Sequence, residues 1–133
     1  MERNNSKTKA TEESKKSKDL KERLYEFALR IVNSVKSLPE NWIALEIGKQ
    51  LLHSGTSIAA NYEKTCGAFG KDDFIYKINT ALKEAKESKH WLRLIRDSKI
   101  TYSNELNYLR QESGEICSIL GKSVVTAKGN INA

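Results

Sequence analysis

The chain has 133 residues, 38% hydrophobic and 30% charged, with a formal charge of +6, one proline and seven glycines. That length holds one domain with a modest core, and so few chain breakers favour helices over a turn-rich β fold. No apolar run approaches the roughly 20 residues of a membrane span, and two distant cysteines with no secretory segment point to reduced thiols in a cytoplasmic protein.

Residues 1–18 hold six basic against three acidic side chains and no aliphatic residue beyond Met1 and Ala10. Such a segment buries too little to offset its ordering entropy, and we expect a disordered basic tail. Residues 128–133 read the same way. The body, residues 19–127, is nearly neutral, so any polyanion site must come from the arrangement of charge on its surface.

The first helix is expected over 19–37, where Leu20, Leu24, Phe27, Ile31, Val35 and Leu38 form one apolar stripe. Glu26 and Arg30 are placed as an i,i+4 pair on its outer side, and Pro39 suits the first turn of the next helix. The second helix, over 40–66, is unusual. Its apolar positions fill an arc of about 200°, roughly twice the width a monomeric bundle needs. Within it Ala44, Gly48, Gly55 and Ala59 share one strip without bulk, which lets another helix approach closely. Trp42 and Tyr62 bracket that strip, and all six are candidate packing or oligomer-contact residues.

The third helix is expected over 72–98, with Ile78, Ala81, Ala85, Ser88, Leu92 and Ile95 at 3-4-3-4-3 spacing. Asp72 and Asp73 lie in its first turn, where they complement the helix dipole. The fourth runs over 103–127, with Leu106, Leu109, Ser113, Ile116, Leu120, Ser123 and Ala127 in the same repeat. Short connections make successive helices antiparallel. The expected fold is all-α, an antiparallel up-down-up-down four-helix bundle.

Catalytic motifs fail on their geometry. His53 and Ser57 are four apart on the polar face of the second helix, but Glu46 is two turns from His53 and mid-helix amides offer no oxyanion site. The Gly121-Lys122-Ser123 run lacks the spacing and the preceding strand of a phosphate-binding loop. No arginine precedes either histidine at the spacing of a helical ribonuclease motif, and the His and Cys positions have no zinc-ligand spacing. We therefore assign no catalytic residue, metal or cofactor. One constellation remains. Lys86, Lys89, Arg93 and Arg96 step by 3, 4 and 3 along the third helix. Such a stripe can follow a phosphate backbone, with His90 and Trp91 as stacking partners and Glu84, Glu87 and Asp97 outside it. The competing reading is that the long stems cover the edge of the core.

The elements Gln50-Leu51-Leu52, Ser54 to Ile58, Ala60-Asn61-Tyr62, Asp73-Phe74, Ala81 to Ala85 and Trp91-Leu92 resemble the four-helix-bundle proteins encoded in intervening sequences of bacterial 23S rRNA genes. That family is similar to the accessory variability proteins of diversity-generating retroelements, pentameric barrels implicated in binding nucleic acid and a reverse transcriptase. The resemblance spans about residues 19–127 and implies a homopentamer without enzymatic activity. The long polar tail and the Gly67–Gly70 turn depart from the usual pattern. The matching positions are mostly packing positions, so no binding residue carries over from the family. The stripe, the tail and the resemblance together point to a homo-oligomeric RNA- or DNA-binding accessory protein. The near-neutral body and the spare apolar surface of the second helix point instead to a scaffold for another polypeptide, such as a polymerase.

Overall fold

A computed structural model describes residues 5–129, with side chains from 20 onward. Four helices make up the fold: α1 (Asn5–Lys36), α2 (Trp42–Glu63), α3 (Gly70–Asp97) and α4 (Asn104–Gly129), with a short 3₁₀ turn, Lys64–Gly67, after α2. Each helix packs on its chain neighbour, α4 closes the ring against α1, and among the described residues no Cα atoms of the diagonal pairs come within 8 Å, so those pairs meet only through core side chains. Ile31 meets the backbone at Gly55 while Val35 and Leu38 meet it at Gly48, so α1 and α2 run antiparallel. Arg23 reaches Glu112 and Glu115 while Arg30 reaches Glu105, so α1 and α4 do too. This is the expected up-down-up-down bundle.

The helix starts and stops have local causes. The Asn41 side chain accepts from the Ala44 amide at 2.9 Å and caps α2. Pro39 therefore lies in the connection, two residues before the cap, rather than in the first turn. The Ser103 hydroxyl accepts from the Leu106 amide at 3.0 Å and caps α4. At the start of α3 the Asp73 carboxylate accepts from the Phe69 amide at 2.9 Å and from Lys77 at 2.8 Å. The Lys77 ammonium and that amide hold its carboxyl below the usual range. The end of α3 is a left-handed cap: Lys99 has φ 58, its amide donates to the Arg96 carbonyl and the Ile100 amide donates to Ile95.

Helix α1 is continuous back to Asn5, well ahead of its expected start at Asp19. That stretch holds five lysines, two glutamates and no glycine or proline, so nothing in it breaks the helix beyond the last core residue. Backbone helix is described from residue 5 of the expected tail over 1–18. Residues 1–4 at one end and 130–133 at the other lie outside the described residues.

The core follows the stripes. Leu24, Phe27 and Ile31 of α1 meet Leu51 and Ile58 of α2, Leu92 and Ile95 of α3, and Leu109, Ile116 and Leu120 of α4. Each large side chain so buried contributes about 1.5–3 kcal/mol before entropy is counted. In α4 the inward position is Val124, not the expected Ser123, whose hydroxyl bonds the Ile119 carbonyl at 3.2 Å. Between α2 and α3 the core is polar but satisfied: the Ser88 hydroxyl donates to Ser54 at 3.0 Å, and Ser54 donates to the Leu51 carbonyl. Small hydroxyls at this crossing bring the two backbones close without orphaning a donor.

Candidate nucleic-acid interface and the uncovered apolar face

Helix α3 presents two faces. Ile78, Ala81, Ala85, Ser88, Leu92 and Ile95 are buried, as the spacing predicted. Lys86, Lys89, Arg93 and Arg96 are all exposed along the adjoining face, so the basic stripe exists as a surface feature. Lys86 and Lys89 have no ion-pair partner among the described residues. Asp97, expected outside the stripe, reaches into it. Its carboxylate lies 2.9 Å from Arg96 Nε and 3.6 Å from Arg93 Nε. The Arg96 guanidinium holds the Asp97 carboxyl below its usual range, with Arg93 adding to the effect. The two arginines are thereby partly neutralised at the helix end, and the two lysines carry the stripe's free charge.

The expected stacking partners are not in it. Trp91 is half-buried and packs on the core cluster, on the same helix face as Ser88, which pairs with Ser54 of α2. His90 is exposed and meets the Trp91 ring edge-on at 4.9 Å. At 100° per residue these two positions rotate away from Lys89. On that α2-facing side lies Glu84, whose carboxyl is raised by burial and by neighbouring Glu87, with one oxygen unpartnered. Toward α4 the stripe borders Cys117. Burial pushes the Cys117 thiol up, against the pull of Lys89 and Lys86.

The His53–Ser57 pair does not form a dyad. The Ser57 hydroxyl donates to the His53 backbone carbonyl at 2.6 Å, and Glu46 faces Lys49 at 3.7 Å. Among the described residues no three His, Cys, Asp or Glu side chains gather in a metal-binding group. No helix there is long and apolar enough to cross a membrane.

The six packing candidates divide. Ala44, Gly48 and Gly55 are buried, and a Cβ at Gly55 would sit 2.8 Å from Ile31. Their strip serves the α1–α2 crossing inside one chain. Ala59 and Tyr62 are partly buried against the same core. Trp42 is 74% exposed, and Leu45, Ile43 and Leu52 accompany it. One side of the broad apolar arc thus closes the bundle and the other is uncovered. Beside it runs an open groove of ≈620 Å³, lined by Val35, Leu38 and Pro39 from the end of α1 onward and by Trp42, Leu45 and Leu52 of α2.

Sequence reasoning missed the ionic seam between α1 and α4. Arg23 donates to both Glu112 oxygens, at 2.8 Å from Nε and 2.6 Å from Nη2, and Nη2 also reaches Glu115 at 2.7 Å. Glu112 is only 8% exposed, and the bidentate guanidinium lowers its carboxyl despite that burial. Arg30 turns from its expected partner Glu26 to Glu105 at 3.4 Å, and its guanidinium lies 4.1 Å from the Tyr108 ring centroid. The i,i+4 spacing was legible, but a stronger partner across the seam was not.

The matching model in a comparison with protein families is that of the 23S rRNA-intervening sequence proteins, over residues 16–122. The chain belongs to that family. Among solved structures it is similar to a Bacteroides thetaiotaomicron VPI-5482 protein described as of unknown function from the S23 ribosomal protein family. The two are 38% identical, with a TM-score of 0.72, over 78% of this chain and 96% of that one. No curated protein matches. The family match covers all four helices, from the described part of α1 through most of α4.

Proposed function

We propose that this member of the 23S rRNA-intervening sequence family is a non-enzymatic, homo-oligomeric accessory protein, pentameric in its assembled form, that binds RNA or DNA. The observation that carries the reading is the exposed row Lys86, Lys89, Arg93 and Arg96, opposed by a single carboxylate, Asp97. Four cations stepping along one helix face give a line of charge that a polyanion neutralises by counterion release. A ring of copies would repeat that line and multiply its effect. The uncovered Trp42, Ile43, Leu45 and Leu52 give the copies an apolar surface to join through.

The test is charge reversal of all four cations to glutamate, followed by fluorescence anisotropy with a labelled RNA and a labelled DNA. Binding should be lost while helicity and oligomer mass are kept; unchanged affinity would remove the stripe from the proposal. A second reading has its own observation, the apolar groove beside Trp42. In it that face holds a different polypeptide, such as a polymerase, and the protein has no direct nucleic-acid role. Sedimentation of the purified protein separates the two. A single species of several copies, dissociated by Leu45→Glu, supports the first; a monomer supports the second.

A further inference from the structure

Of the seven glycines described, four lie well inside helices α2 and α4, and they fall into two kinds. Gly48 and Gly55 are explained by close contact, with Leu38 just past α1 at 3.0 Å and Ile31 of α1 at 2.8 Å from where a Cβ would be. Gly114 and Gly121 lie inside α4 with nothing within 4 Å of that position. Each costs about 1 kcal/mol relative to alanine, and nothing inside the fold compensates. They flank Cys117 at i−3 and i+4, on one helix face. That face adjoins α3, which packs along α4, with Cys117 against the core cluster the two helices share and the Lys86 and Lys89 charges reaching it. One turn before Gly114, Arg110 lines the same crevice as Arg96, and its Nε has no partner.

Charge is segregated on α4. Its glutamates, Glu105, Glu112 and Glu115, engage Arg30 and Arg23 on the α1 side. The α3 side of the helix keeps a cation and small residues. The α3–α4 seam is therefore a shallow trough with lysines and arginines along one wall, Arg110 at one end and a floor without bulk.

We infer that this trough seats the sugar–phosphate backbone of a double-stranded nucleic acid, with Arg110 as a fifth phosphate ligand and Gly114 and Gly121 allowing the backbone to approach α4. The inference rests on the nucleic-acid reading above and makes it specific. From Lys86 to Arg96 the helix rises roughly 15 Å, the axial length of about four base pairs along one strand. The number of cations matches that number of phosphates. Among the described residues one exposed aromatic, Tyr102, lines the crevice at the Arg96–Arg110 end and none lies between there and Lys86 on the stripe's face, so the row of aromatics on which single-strand binders stack successive bases is missing. Recognition is of backbone and shape, independent of sequence.

The experiment uses the full chain, with Gly114→Gln and Gly121→Gln combined, and Arg110→Ala alone. Affinity is measured by anisotropy for duplex DNA, duplex RNA and a single strand across a salt series. Glutamine adds bulk without charge and favours the helix, so the double variant should melt higher than the parent yet bind duplex at least tenfold more weakly. Arg110→Ala should flatten the slope of log affinity against log salt by about 1. A glutamine variant that binds duplex like the parent overturns the trough while leaving the stripe intact. A parent that prefers the single strand overturns the duplex assignment. A parent that binds nothing at low salt overturns the trough and the nucleic-acid reading together.

Discussion

Replacing Gly55 with alanine places a methyl carbon 2.8 Å from Cγ1 and Cγ2 of Ile31 and 3.2 Å from its Cβ. Ile31 is fully buried, and these atoms sit next to its own backbone, so no rotation about a distal bond clears the clash. Overpacking of this kind costs about 1–3 kcal/mol. Alanine in place of glycine returns about 1 kcal/mol through helix propensity. The net expectation is a loss of roughly 1 kcal/mol, about 4 °C in midpoint for a domain of this size. Gly114→Ala meets no neighbour within 4 Å and keeps the gain alone. Thermal unfolding followed by circular dichroism, at matched protein concentration, should place the two variants on opposite sides of the parent. Their midpoints should differ by roughly 8 °C. A Gly55→Ala protein as stable as Gly114→Ala would refute the close α1–α2 crossing.

The left-handed Lys99 predicts that Lys99→Gly stabilises the fold by up to about 1 kcal/mol, read as a higher denaturation midpoint at unchanged slope. Arg23→Ala leaves the buried Glu112 carboxylate without its bidentate partner and should cost on the order of 1–3 kcal/mol, toward the lower end because Arg23 is itself partly exposed. Because the Glu112 carboxyl is depressed in the folded state, its stabilisation is present above the unfolded value near 4.5 and is lost as pH falls through the folded one. Urea titrations of Glu112→Gln should therefore show a flatter loss of stability below about pH 4.5 than the parent. Asp97→Asn frees Arg93 and Arg96 and should tighten duplex binding several-fold with a steeper salt slope; weaker binding would contradict the placement of those arginines.

Where a helix was read by its apolar spacing, the sequence was sufficient: every buried position of α3 was legible because a strict 3-4 repeat has one solution on a helix. The limits lay at ends and across seams. Pro39 suits a first turn in isolation, but the Asn41 side chain claims the cap two residues later. Arg23 and Glu112 lie on the first and last helices, and only the register of the closed ring brings them together. The α1 start at Asn5 lies ahead of Asp19, near where the apolar stripe begins, because a lysine-rich stretch without glycine or proline does not interrupt a helix. Trp91 was misread: sequence adjacency to Lys89 suggested a shared surface, whereas helical rotation separates them. Of the basic stripe, the exposed cations were legible and the Asp97 contacts, Arg110 and the open glycines of α4 were not. Those belong to a surface made by two helices, and no single helical wheel displays it.

The central claim, that the α3 face binds a nucleic-acid backbone, is tested most directly by anisotropy of the parent protein with duplex DNA from low to physiological salt. The account predicts binding whose logarithm falls linearly with log salt, with a slope of about −4 for each complement of four to five cations engaged. No binding at low salt, or binding insensitive to salt, would contradict it.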